Sequence, residues 1–169
     1  MTEPKIAGVS AKPVEDHYAS AAQRHFEDGV FLHDDGRLPN ADHHYGFAAE
    51  CALKSLLLRL VPEVSMGPKK PGKPPATKPW LPDPNDPNRA LDLGHIQGML
   101  DVLPWLLRGR AGAAVLAGLA SHPAEFRAWS ESDRYTDGSE VLEGTVVRRR
   151  LAAEEIVKLH NQQLGGVRP

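Results

Sequence analysis

Histidines, arginines and paired charges are the residues of this chain whose types and spacing could do chemistry. Eight histidines invite a metal site. His17, His25 and His33 follow one another at eight-residue steps, each of which turns a helical side chain by about 80°, so they spiral around a helix and read as surface residues. Asp42, His43 and His44 are adjacent and point in different directions. No two histidines one turn apart bracket a glutamate in the zinc-protease manner. The spacing assigns no metal and no cofactor. Cys51 lies inside an apolar helical pattern and reads as a small core residue. No glycine-rich phosphate loop and no serine in a nucleophile elbow occur.

Charges repeat at helical spacing in two places. Glu50 and Lys54 are one turn apart in the favourable order for an ion pair. Arg148, Arg149 and Arg150 fan across about 200° of a helix, a basic girdle suited to phosphate contacts, with a solvated helix surface as the alternative. Trp129 and Tyr135 could stack a base or fill a core.

The elements that must position these residues are helical. Tyr18, Ala22, Phe26 and Val30 mark a helix from Val14 to His33, closed by Asp34, Asp35 and Gly36. Asn40 is placed to cap a second helix running to Leu60, with Asp42 adding charge that its dipole favours. On that helix Tyr45, Ala49, Leu53, Leu56 and Leu60 form one apolar strip and Phe47, Cys51 and Leu58 another. His43, Glu50 and Lys54 lie in a narrow polar strip between them. A helix apolar on two sides belongs at the centre of a bundle or at a dimer interface.

Between Pro62 and Pro87 stand nine prolines, which excludes a continuing helix and predicts a long mobile loop, assigned here to 62–90. Its lysines Lys69, Lys70, Lys73 and Lys78 can meet an anion or simply solvate a linker. Helical patterning returns over Leu93 to Leu107, where Pro104 should kink or divide it, then over Ala111 to Ala120, and last over about Ser139 to Leu164 after a turn at Asp137 and Gly138. No strand alternation stands out. The expectation is one all-α domain over 14–169, with residues 1–13 a flexible lead-in.

Twenty Lys and Arg against 22 Asp and Glu give a net charge of −2, so a nucleic-acid site would have to be a local patch. A single cysteine fits a reducing compartment. The longest apolar stretch, Ala111 to Ala120, is far below the roughly 20 residues that span a bilayer. The reading is a cytoplasmic protein with no membrane partner.

Three stretches in order, NADHHYGFAAECALKSLL at 40–57, GHIQGMLDVL at 94–103 and WSESDRY at 129–135, resemble the HEPN superfamily of helical nucleotide-binding domains. The resemblance implies an up-and-down bundle of four to five main helices with a proline-rich loop insertion. It also implies a homodimer and a link to nucleotide or RNA, toxin and defence endoribonucleases included. It places Glu50, Lys54, Arg134 and Tyr135 around one polar pocket. Ribonuclease members carry an arginine a few residues before a histidine, a pair suited to RNA cleavage because histidine can move the 2′-hydroxyl proton while arginine stabilises the phosphorane. Arg89 with His95 has that spacing, with Ala90 where a polar residue is usual, and so does Arg37 with His43 or His44. The leading expectation is a nucleotide- or RNA-associated binding domain. The alternatives are a metal-independent endoribonuclease using Arg89 and His95, and a helical domain that binds a protein partner through its proline-rich loop.

Overall fold

The computed structural model describes residues 13–166. Apart from Pro13, the lead-in lies outside the described residues. The chain is mostly helical, with α1 at Val14–Asp34, α2 at Leu38–Leu60, α3 at Ile96–Leu106, α4 at Gly109–Leu119 and α5 at Glu143–Gly166. Two 3-10 turns, His122–Phe126 and Glu131–Tyr135, lie between α4 and α5, and a hairpin of β1 (Trp80–Asp83) and β2 (Asp86–Asp92) lies between α2 and α3.

α2 is the hub. It packs most extensively on α1 and next on α5, and it also meets α3 and the second 3-10 turn. From Ala48 to Leu57 every residue is buried, as the two apolar strips require. α1 returns antiparallel through a tight turn at Gly36, whose φ of +76° suits glycine. Gly29 allows the close approach, since a Cβ there would stand 2.8 Å from the Tyr45 ring. Gly46 does the same for Trp129, because a methyl at Gly46 would fall inside the buried indole.

Several expectations are corrected. Asn40 does not cap α2, which starts at Leu38 with Pro39 in its first turn, a position where the missing amide hydrogen costs nothing. α3 runs past Pro104 and ends at Leu106. The break falls at Leu107 and Arg108, ahead of Gly109 with its φ of +75°. α5 begins at Glu143, not near Ser139, which leaves Leu142 outside the helix and exposed while Val146, Ala153 and Ile156 are buried.

The segment 62–90 is not a structureless loop. Ser65 and Trp80 exchange backbone hydrogen bonds of 2.8 and 3.0 Å, and the Trp80 indole donates to the Gly67 carbonyl at 2.9 Å. β1 and β2 then pair antiparallel, with Leu81 buried and a register shift between Pro82 and Asp83. Proline is tolerated because a two-stranded hairpin has only edge strands, where an absent donor need not break a ladder.

The three arginines of α5 do not form an open girdle. Arg148 pairs with Glu125 at 3.2 Å, Arg149 with Asp42 at 2.5 Å and Arg150 with Asp34 at 2.9 Å. Each joins α5 to a different element: the first 3-10 turn, α2 and α1. The Arg149–Asp42 pair is buried, and Arg149 also donates to the Glu125 carbonyl at 3.1 Å. Burial pushes the Asp42 carboxyl above its ordinary range, against the opposing pull of the Arg149 guanidinium. Asp42→Ala would strand a buried guanidinium and should lower the unfolding free energy by about 3–5 kcal/mol. Arg150→Ala, at an exposed pair, should cost less than about 1 kcal/mol. Urea denaturation of the two variants reads the difference.

Candidate functional site

The polar group that the fold brings together most completely lies where β2 hands over to α3. Asp92 closes β2, and its Oδ1 accepts from the Gly94 amide at 2.8 Å, a local turn that ends the strand. His95 follows in extended conformation as the residue ahead of α3, and its side chain makes no capping bond. Capping comes from α2 instead: Glu50 Oε2 accepts from the Ile96 amide at 3.1 Å. The carboxylate thus meets the positive end of α3. Glu50 Oε1 also accepts from Lys54 Nζ at 2.6 Å, and Lys54 donates to the Gly94 carbonyl at 2.6 Å. The buried pair Glu50 and Lys54 is therefore a clamp across the Gly94–Ile96 turn.

Relieved of capping, the His95 ring faces outward between two charged groups. Its Nε2 lies 3.0 Å from Lys78 Nζ, and its Nδ1 lies 2.5 Å from Glu131 Oε2, without an aligned hydrogen bond there. An ammonium can only donate, so Nε2 is the acceptor and the ring proton resides on Nδ1, beside the Glu131 carboxylate. Glu131 is positioned by the second 3-10 turn, which opens on a capping box of Ser130 and Asp133. Gln97 of α3 ties that turn down by donating to the Trp129 carbonyl.

Lys78 also borders an open cleft of about 310 Å³ lined by Lys69, Lys73, Thr77 and Asp92. Burial pushes the Asp92 carboxyl up. The hydrogen bonds from Lys69 and the Gly94 amide, with the charges of Lys69 and Lys78, outweigh it and hold the group below the ordinary carboxylate range. A histidine whose far nitrogen faces a carboxylate is oriented for proton transfer at Nε2, and the neighbouring ammonium groups suit a phosphate.

The other sequence candidates fall elsewhere. Arg89 does not join His95. It is exposed, lies 3.7 Å from Asp83 across the hairpin, and roughly 10 Å of extended strand separates it from Asp92 alone. Among the described residues no hydrogen bond or ion pair links the buried Glu50 or Lys54 to Arg134 or Tyr135. Tyr135 is 77% exposed under the Arg134 guanidinium, and Trp129 is core. Arg134 lines a separate cavity of about 260 Å³ with Asn40, His43 and His44. Arg37 pairs with Asp35 and shares a cavity with His44. Cys51 is buried, and burial raises its thiol to about 11, as suits a core residue. A more apolar groove of about 510 Å³, between Val61, Leu81, Trp105 and Leu106, has no histidine in its lining. Sequence reasoning missed Lys78 and Glu131 as neighbours of His95, because 17 and 36 residues separate them from it and only the hairpin and the 3-10 turn close those gaps.

No family model, curated protein or solved structure matches the chain.

Three histidines are held toward the neutral form chiefly by burial: His25, lowered from 6.5 to about 4, His43, and His160, whose Nε2 lies 2.9 Å from Ser55 Oγ. The unfolded chain takes up these protons near pH 6.5 while the native chain resists, so stability should fall as pH drops from about 6.5 toward 4. Asp42, with its raised carboxyl, opposes this only in the carboxylate range. Thermal denaturation across that window should show a declining Tm, and His25→Gln should flatten the decline.

Proposed function

We propose that this chain is a HEPN-like, RNA-associated binding domain that holds a phosphodiester in the lysine cleft beside His95. One observation carries the proposal: Lys78 stands 3.0 Å from His95 at the margin of a cleft that also carries Lys69 and Lys73. In a chain of net charge −2, this is a local concentration of cations on an otherwise balanced surface. The arginines of α5 are each occupied by a carboxylate, whereas in the cleft Asp92 pairs with Lys69 and, among the described residues, no carboxylate pairs with Lys73 or Lys78, which favours the cleft over the girdle as the phosphate site. The order of the three HEPN-like stretches supports RNA or nucleotide over other anions. A second copy of the chain is proposed to cover the exposed Val147 and Leu151 of α5 and Leu142 just ahead of it.

Fluorescence anisotropy with single-stranded RNA across a salt series tests the reading. Wild type should bind, and Lys69→Ala, Lys73→Ala and Lys78→Ala combined should weaken binding and reduce the logarithmic salt slope by about 2, from roughly 0.7 per lost phosphate contact. Equal affinity and slope for the two proteins would overturn it.

A metal-independent endoribonuclease is the second reading, favoured by Glu131 against His95 Nδ1. Its cleavage centre would be His95, Lys78 and Glu131, with Arg89 outside it. Labelled RNA should then be cut by wild type and by Arg89→Ala, while His95→Ala should lose about 10²- to 10⁴-fold in rate. Uncut RNA with wild type would leave the binding reading alone.

A further inference from the structure

The antiparallel packing of α1 on α2 creates a group that spacing along either helix conceals. His25 and Asp28 are three residues apart and share a face of α1. Gly29 lets α2 approach until a Cβ on it would lie 3.4 Å from the His44 Cβ, which sets His44 against that face. The rings of His25 and His44 have centroids 5.3 Å apart, and the Phe47 ring lies at the same distance from His25. Their Nδ1 atoms face each other at 3.3 Å, and Asp28 Oδ2 lies 3.9 Å from His44 Nδ1.

We propose that His25, Asp28 and His44 form a binding site for a divalent transition metal ion, zinc above all. A zinc ion holds imidazole nitrogens at about 2.0–2.1 Å, and the edge of a tetrahedron with those arms is about 3.3–3.4 Å. The two Nδ1 atoms are already at that spacing. The three ligand atoms all lie within 4.8 Å of one another, and the exposed Asp28 carboxylate closes the remainder by a side-chain rotation. Facing Nδ1 atoms cannot both carry protons.

Three protein ligands leave a fourth position. A cavity of about 350 Å³ adjoins it, lined by Asp28, Phe31, Arg37, Asn40 and His44, so water or a small anion could complete the shell beside the Arg37 guanidinium. A second set, Glu50, His95 and Glu131, also has its ligand atoms within 4.8 Å. There Lys54 already occupies Glu50 and Lys78 meets His95, and two ammonium groups would repel an incoming cation. Among the described residues no ammonium occupies the ligand atoms of the α1–α2 site, although the Arg24 charge also acts on His25, and the site stands independently of the RNA reading.

The test uses the untagged full chain stripped with a chelator. Calorimetry with zinc should give one equivalent per chain, and cobalt(II) should produce the visible absorption of a four-coordinate ion. His25→Ala and His44→Ala should each abolish both signals. Asp28→Asn, nearly isosteric at an exposed position, should weaken binding by roughly tenfold or more. His17→Ala and His95→Ala should bind as wild type does, with circular dichroism confirming the fold of every variant. Absence of zinc binding by the wild type, undiminished binding by folded His44→Ala, or loss of binding in His95→Ala would each overturn the proposal.

Discussion

The handover from β2 to α3 hangs on one buried ion pair. Glu50 and Lys54 sit in α2 where every neighbouring residue is buried, and their side chains are 6% and 7% exposed. At a surface such a pair contributes a few tenths of a kcal/mol. In an interior, desolvating two charges outweighs the attraction unless the remaining donors and acceptors are also met. Here the Ile96 amide and the Gly94 carbonyl meet them. The pair therefore requires the start of α3 to lie against α2, and the start of α3 requires the pair as its cap. His95 stands between these two backbone contacts, so its placement follows from a structural requirement of the core.

The same reasoning governs α5. Asp42 and Arg149 are enclosed together and cross-link the hub to the last helix, while Arg148 and Arg150 reach exposed acids on either side. Three consecutive arginines on a helix cannot share a face, so they either spread into solvent or reach three partners. The fold takes the second course. The charge left for an outside anion lies on Lys73 and Lys78, which line a cleft in a segment whose backbone is held by the Ser65–Trp80 pairing.

Much of this was legible in the residues. The periodicities of α1, α2 and α5 located all three helices, and the two apolar strips of α2 identified it as central. Boundaries and long-range partners were not. Pro82 reads as a strand breaker because spacing alone does not reveal that its strand is an edge. Leu81, with Trp80 beside it and Leu91 opposite, was the faint signal of a hairpin. Contacts between helices were hidden for a different reason, since spacing within one helix says nothing about its neighbour. The turn at Asp34–Gly36 nonetheless makes α1 and α2 antiparallel. Residues at similar distances from it then lie at similar levels, and His25, nine residues before Asp34, comes level with His44, eight after Gly36.

That geometry also explains how a helix buried on all sides can serve more than packing. At about 100° per residue, Asp42, the Glu50–Lys54 pair and His44 leave α2 in three directions, near 0°, 80–120° and 200°. The first meets Arg149 of α5, the second the start of α3, and the third His25 of α1. Each polar side chain interrupts an apolar surface and so demands a specific partner, which sets the rotation of α2 against each neighbour more tightly than interchangeable aliphatic contacts would. His95 and the His25–Asp28–His44 group lie at two of these three fixed contacts. Side chains there inherit the rigidity of the core while remaining partly open to solvent, the combination that a binding site needs.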